Sequence, residues 1–200
     1  MDVAYQPSLL GAGEQPSFDG SFRRAARRTL GAGAWVDVVP GWVQGADVFF
    51  DAVLGAAHWQ GRERWMYDRV VDEPRLTTGS WRRPPHPARA MADALSDRYG
   101  LRLASLSANL YRDGRDSVAW HGDTAGRHRT TTVVAILSLG APRAFLLRPK
   151  GGGRSLRYEP GHGDLLVLGG TCQRTWEHAV PKRSSAGARI SVMFREPGVF

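Results

Sequence analysis

The sequence predicts a mainly β fold with flanking helices, a sandwich or barrel of short strands entered through two helices. Three observations carry this. After Gly100, short runs rich in Val, Leu, Ile and Thr alternate with Gly, Pro and Asp punctuation, the pattern of an all-β layered structure. Before Gly100, apolar residues recur at helical spacing in two places. The 200 residues, set against roughly 150 per domain, make one unit with room for a core and none for a second full domain.

Taken in order, residues 1–34 are rich in Gly, Ser, Ala and Pro and carry a basic cluster, Arg23, Arg24, Arg27 and Arg28. They read as a weakly ordered basic N-terminal arm, its cluster being either one solvated helical face or a phosphate contact. Residues 35–200 then form the single domain, with helices and an aromatic, arginine-rich stretch in 35–101 and the β core in 102–200. Val48, Phe49, Ala52, Val53 and Ala56 predict an amphipathic helix from Ala46 to Trp59, with Asp47 and Asp51 near its start, where acidic groups suit the helix dipole. A second helix, Ala88 to Tyr99, follows the proline-rich RRPPHP and stops at Gly100. Between them, Arg62 to Trp81 mixes Trp65, Tyr67 and Trp81 with four arginines. Seven strand-like runs complete the chain: LRLASLSANLY, SVAWH, TTVVAILSL, AFLLRP, DLLVLGG, RTWEHAV and ARISVMF.

Composition bounds the function. A formal charge of +8 favours polyanionic partners. All 27 basic residues except Lys150 and Lys182 are arginines, and with 24 glycines this bias has the look of a GC-rich genome, so the charge needs a site before it means anything. Cys172 is the one cysteine, which excludes an internal disulfide and a zinc finger and fits a reducing compartment with no disulfide-linked partner. No apolar run approaches the ~20 residues of a membrane span, and MDVAYQPSLL lacks a basic n-region. A soluble, cytoplasmic, monomeric protein with no membrane association is the expectation.

Of six histidines, His58, His86, His128 and His162 read as structural, solvated or turn residues. His121 and His178 differ, each lying at the edge of a strand-like run beside a tryptophan. Asp123 follows His121 by two positions, and residues i and i+2 of an extended segment share a face. With a histidine from another strand, the set becomes two imidazoles and one carboxylate, the facial arrangement that holds non-haem Fe(II) and leaves positions open. In RISVMFR, Arg189, Ser191, Met193 and Arg195 fall on one face and Ile190, Val192 and Phe194 on the other. The polar face meets either water or a barrel interior, where a guanidinium binds a carboxylate through both oxygens. Asn109 and Tyr111 likewise share a face.

NLYRDGRDSVAWHGD, HGDLLVLGG, WEHAVPK and RISVMFR, in this order over most of Leu103 to Arg195, resemble the AlkB family of Fe(II)- and 2-oxoglutarate-dependent dioxygenases. PRLTTGSW, Pro74 to Trp81, is similar to the family's nucleotide-recognition lid. The resemblance implies a double-stranded β-helix, or jelly roll, with His121, Asp123 and His178 on the iron. It implies 2-oxoglutarate bound by Arg189 at its distal carboxylate, with Asn109, Tyr111 and Ser191 beside it and Arg195 near the chelating end. With O2 as cosubstrate, the implied reaction is oxidative demethylation of N-alkylated bases, of the 1-methyladenine or 3-methylcytosine kind, in DNA or RNA. Succinate, CO2 and formaldehyde are the products. A flipped base would stack on Trp81 or Trp65, and Arg75, Arg82 and Arg83 would meet phosphates. Two positions depart from the family: Ala125 stands where members often carry an acid, and Ser191 where asparagine is usual. Ala125 keeps open a 2-oxoglutarate hydroxylase of a protein or small molecule, and the basic arm keeps open a non-enzymatic nucleic-acid-binding barrel.

Overall fold

Alternation along short runs dictates the architecture, because a strand of five to seven residues can serve two faces with different chemistry. The structure is a computed structural model that describes residues 3, 5, 7, 13–66, 69–123 and 128–198, with the backbone alone for 62–66 and 69–72. In chain order its elements are β1 (Ser17–Phe18), β2 (Ala26–Gly31), β3 (Ala34–Val39), β4 (Val43–Gln44), α1 (Ala46–Ala56), β5 (Gln60–Met66), β6 (Arg69–Thr77), α2 (Ala88–Tyr99), β7 (Ser105–Tyr111), β8 (Val118–His121), β9 (Val134–Gly140), β10 (Phe145–Pro149), β11 (Leu156–Tyr158), β12 (Leu165–Gly170), α3 (Cys172–Thr175), β13 (Trp176–Val180) and β14 (Arg189–Arg195). Every ladder among them is antiparallel.

The large sheet has eight strands in the order β2, β3, β12, β9, β14, β7, β6, β5, and the small sheet four, β11, β10, β13, β8. Together they form the double-stranded β-helix. Ala108 and Leu110 of β7, Leu137 and Leu139 of β9 and Ile190, Val192 and Phe194 of β14 turn outward onto Phe49, Phe50 and Val53 of α1 and Met91, Ala92 and Leu95 of α2. The opposite face of the same sheet, with Val36, Ile136, Leu166, Leu168 and Met193, packs inward on Phe145, Leu147 and Val180 of the small sheet. Cys172 is buried in this inner cluster. Each fully buried side chain of this size contributes about 1.5–3 kcal/mol, so both faces of β7, β9 and β14 are needed.

The helices follow their signals with one correction. α2 spans Ala88–Tyr99 and ends on Gly100 at φ 65, the left-handed stop that glycine adopts without strain. The first helix, expected to reach Trp59, ends at Ala56. Ala57 is extended, and the Trp59 indole donates back to the carbonyl of Leu54 at 3.0 Å, so the apolar periodicity continues while the backbone has turned; His58 therefore lies beyond the helix.

The weakly ordered arm over 1–34 is corrected in its second half. β2 is an edge strand paired along β3, and Arg27 and Arg28 lie on it rather than on a helix. Arg27 grips the buried Asp37 through Nε and Nη2 at 2.7 and 2.8 Å and lies 3.8 Å over the Trp35 ring. β2 is hard to read in sequence because Arg28 interrupts the one parity that carries Ala26 and Leu30, and only Leu30 packs on the core. The stretch Arg62 to Trp81 contains a hairpin, β5 against β6. Among the described residues no helix is long and apolar enough to cross a membrane.

Trp35 sits under Arg27, stacks on Tyr99 of α2 with centroids 5.6 Å apart, and covers Gly169, its cross-strand partner. A Cβ at Gly169 would stand 2.0 Å from Trp35 Cζ2. Gly169→Ala is therefore expected to lower stability by about 2 kcal/mol, the cost of overpacking. Gly55→Ala, in α1 with open space around its added methyl, should raise it by about 0.5 kcal/mol. Urea unfolding of the two variants checks both signs.

Candidate active site

The antiparallel ladder between β8 and β13 sets His121 opposite His178. Residues facing each other across such a ladder share a face, and the two imidazole centroids are 4.2 Å apart. Asp123 follows where β8 ends. One ligand atom from each of His121, Asp123 and His178 lies within 4.8 Å of the others.

Each ligand is held for its task. The Nδ1 of His121 faces the carbonyl of Ala119 at 2.8 Å, so Nδ1 carries the proton and Nε2 keeps the lone pair. His178 is buried and stacks on Phe145 at 5.1 Å. Burial first, and then the neighbouring His121, push its pKa down to about 3 against the pull of Asp123. It is a neutral imidazole at any ordinary pH. Burial alone would raise the Asp123 carboxyl, but the charge of Arg195, with the two histidines, outweighs it and holds the group below the usual carboxylate range. Arg195 Nε donates to Asp123 Oδ2 at 3.0 Å and Nη1 to Ser107 Oγ at 3.1 Å. Two neutral imidazoles and an ionised carboxylate on one side of a space fit Fe(II) and leave about three positions for other ligands.

Beside this set lies the inward face of β7, β14 and β9. Arg189 is registered opposite Tyr111 and Ser191 opposite Asn109, so the four polar residues expected to act together are brought onto one face. All four are buried. The polar face of β14 thus lines the barrel interior, the second of the two environments that its alternation allows. Arg189 Nη2 donates to Ser138 Oγ at 2.7 Å, its guanidinium lies 5.4 Å over the Tyr111 ring, and its buried Nε has no hydrogen-bond partner among the described residues. Burial pulls this guanidinium below its ordinary value. A buried cation with an unmet donor is costly unless an anion completes it, so Arg189 fits a ligand carboxylate. Among the described residues, Asn109 Nδ2 reaches only the Met193 sulfur, at 3.2 Å.

Four residues escape the sequence reading. Gln173, from the short α3, accepts the Asp123 backbone N–H at 2.9 Å while its buried Nε2 has no partner among the described residues. Ser138 is visible as the one polar residue inside the apolar run VVAILSLG. Arg143 is fully buried, donates to the carbonyls of Asp113, Asp116 and Pro181, and lies 5.6 Å from the Tyr111 ring; no pattern announces it. Glu73 stands 3.4 Å from Arg75.

The substrate contacts divide. Arg75 is corrected: its side chain is 15% exposed and its Nη1 lies 3.5 Å from the Tyr111 hydroxyl, inside the site rather than out among phosphates. Trp81 is corrected too, since it packs against the core beneath the helices, on the outward side of the large sheet, and its backbone N–H donates to Leu106. Arg82 and Arg83 are exposed. Trp65 lies on β5 with its backbone paired to Val70, and its side chain, like Ala125, is outside the described residues.

Comparison with known proteins bears on this geometry. A family model described as the 2OG-Fe(II) oxygenase superfamily matches residues 40–195. The human alpha-ketoglutarate-dependent dioxygenase alkB homolog 3 is 32% identical over 148 residues, 68% of this chain and 49% of its own length. An Arabidopsis thaliana protein named DNA oxidative demethylase ALKBH2 is 34% identical over 146 residues, 60% of this chain and 46% of its own. The chain spans about half the length of the curated relatives it matches. Among solved structures, OsALKBH1 superposes with a TM-score of 0.61 at 14% identity, over 86% of this chain and 100% of that one. A 2OG-Fe(II) oxygenase family oxidoreductase from Burkholderia pseudomallei gives 0.55 at 15%, over 80% and 84%.

Two outcomes follow from the site. His178→Ala should weaken binding of Mn(II), a redox-quiet stand-in, by more than about 100-fold by titration calorimetry, since loss of a supporting partner alone costs 10–100-fold. In metal-free protein, the unfolded chain protonates His178 near 6.5 while the folded form resists to about 3. Stability should therefore fall as the pH drops from about 6.5 toward 3. His178→Gln should flatten this part of a melting-temperature profile against pH.

Proposed function

The chain belongs to the 2OG-Fe(II) oxygenase superfamily, in its AlkB branch, and from that premise we propose that it oxidatively demethylates N-alkylated bases in DNA or RNA. The observation that carries the reading is the pairing, on one inward face, of a two-histidine, one-carboxylate set with a buried arginine that has no anionic partner among the described residues. Fe(II) held by His121, Asp123 and His178 would supply, with 2-oxoglutarate and O2, the oxidising power that yields succinate and CO2 and hydroxylates a methyl group on a base nitrogen. The hydroxymethyl group then leaves as formaldehyde.

The chain's own residues bind, orient and exclude. Arg189 takes the distal carboxylate of 2-oxoglutarate, with its guanidinium set by Ser138 and the Tyr111 ring. Asn109, Tyr111 and Ser191 offer an amide and two hydroxyls along the same molecule. Ser191 donates or accepts where asparagine is usual, so binding survives the change. Arg195 is braced between Asp123 and Ser107, near the chelating end. Ile136, Leu147, Leu166 and Met193 wall the interior against water. Gln173 fixes the backbone of Asp123.

The names of the relatives, a DNA oxidative demethylase among them, support nucleic acid as the substrate over a protein or small molecule. The metal set, idle in a pure binding module, argues against a non-enzymatic barrel. The reading includes a cytoplasmic monomer with no disulfide-linked partner and no membrane association. Cys172, a lone cysteine buried inside the barrel whose thiol burial pushes up to about 12, supports the part of this reading that concerns disulfide-linked partners.

Protein reconstituted with Fe(II), 2-oxoglutarate and O2 should release formaldehyde and succinate in equal amounts from a 1-methyladenine or 3-methylcytosine oligonucleotide. Succinate at the uncoupled background across methylated DNA and RNA would sink the proposal. Arg189→Met should raise KM for 2-oxoglutarate at least about tenfold, the worth of a charge-assisted hydrogen bond.

A further inference from the structure

The segment HGD, His162 to Asp164, opens one of the runs that carry the family resemblance, yet neither the metal set nor the cosubstrate contacts use it. It forms the turn into β12 and lies against the end of β9, where Ser138 and Gly140 stand opposite Ser191 and Arg189 of β14. Three hydrogen bonds join the turn to this end. Gly163 N–H donates to the Ser138 carbonyl at 2.8 Å, and Ser138 N–H to the Asp164 carbonyl at 2.9 Å. One step further along, the acceptor for the Gly140 N–H is not a carbonyl but His162 Nδ1, at 2.7 Å. A side chain thus continues what the backbone of β12 begins.

The imidazole is itself held. Because Nδ1 accepts, the ring proton sits on Nε2, which lies 3.2 Å from Asp47 Oδ1 at the start of α1 and 3.2 Å from the Tyr5 hydroxyl. Tyr5 donates to the same carboxylate and stacks on Phe50. Burial holds the His162 imidazole below its ordinary value against the pull of Asp47, so it is neutral at pH 7 and keeps its lone pair for Gly140. The rest of the turn is fixed as firmly. The Asp164 carboxylate accepts the N–H groups of Gly41 and Gly161 at 2.7 and 2.8 Å, and a Cβ at Gly163 would stand 2.5 Å from the Val43 carbonyl oxygen. What this end of β9 carries into the barrel is Ser138 Oγ, which accepts Arg189 Nη2 at 2.7 Å. Misplacing a binding group by about 1 Å can cost on the order of 100-fold.

Resting on the reading that Arg189 takes the distal carboxylate of 2-oxoglutarate, we infer that His162 is a positioning residue for cosubstrate selection. By holding Gly140 it sets Ser138, and Ser138 sets the guanidinium. A 2-oxo acid with a distal carboxylate is recognised through this chain of contacts, and one without it gains nothing from them. His162 is outside the metal set and acts through Arg189.

Binding to the Mn(II)-loaded full chain tests this by calorimetric titration with 2-oxoglutarate and with 2-oxopentanoate, which has a methyl group in place of the distal carboxylate. The wild-type protein should prefer 2-oxoglutarate. His162→Leu removes both ring nitrogens and should lower that preference at least about tenfold, as for losing one charged hydrogen bond, with 2-oxopentanoate within about twofold of wild type. His162→Asn, whose Oδ1 accepts the Gly140 N–H in place of Nδ1, should keep most of the preference. Where His162→Leu is not recovered folded, His162→Gln, whose amide reaches the Nε2 position and leaves Gly140 without an acceptor, takes its place with the same expectation. Ser138→Ala should lower the preference as well, and adding His162→Leu or His162→Gln to it should change little further, since both act on one guanidinium. An affinity ratio measured on one preparation is independent of its folded fraction. A preference unchanged in the loss variant, an equal loss on both ligands, a loss as large in His162→Asn, or fully multiplicative effects in the double variant overturns the assignment. A wild-type protein without the preference, or Arg189→Met that retains it, overturns the reading of Arg189 itself, a result obtained without any change at His162.

Discussion

A strand buried on both faces must satisfy two environments by the parity of its residues, and β14 is the strand on which this structure depends. It is paired along its whole length with β7 on one side and β9 on the other. Its even residues, Ile190, Val192 and Phe194, complete the core under the helices. Its odd residues, Arg189, Ser191 and Arg195, furnish the interior with a cation, a hydroxyl and a brace for Asp123. A slip of one residue would place guanidinium groups in the helical core and phenylalanine on the ligand. Fold and site therefore share one register.

That dependence explains how much of the molecule is legible in its sequence. Parity survives in a one-dimensional string, so the faces of β14, the Asn109 and Tyr111 pair and the His121 and Asp123 pair all show in the order of residues alone. What parity does not say is whether a polar face meets water or a pocket, since Arg189 shows the same alternation either way. The opposite neighbour of a residue is also invisible. Gln173 lies fifty positions from the Asp123 backbone that it holds, in a turn with no periodicity, and Arg143 acts entirely through carbonyl oxygens, which every residue possesses. Arg75 reads as a surface arginine because its partner, Tyr111, lies on another strand. β2 offers little alternation to find, since Arg28 interrupts the one parity that carries Ala26 and Leu30.

The basic excess also changes meaning once located. Arg27 neutralises Asp37, Arg143 and Arg189 are buried, and Arg195 is spent on Asp123. A formal charge counts these equally with Arg82 and Arg83, which face solvent. The electrostatic attraction available to a polyanion is that of the exposed remainder, and it is screened by salt at the usual distance of about 8–10 Å. In the proposed function, this exposed remainder is what would draw a nucleic acid in, and selection among bases would fall to short-range groups inside the barrel.

The burial of Cys172 bears on how long such a protein lasts. Sulfur oxidation proceeds from the thiolate, and a thiol held protonated to about pH 12 in an apolar wall exposes almost none of it. A catalyst that handles O2 generates oxidants whenever its cycle runs without substrate. The chain's one thiol is thus kept in its least reactive form, which withdraws it from that damage.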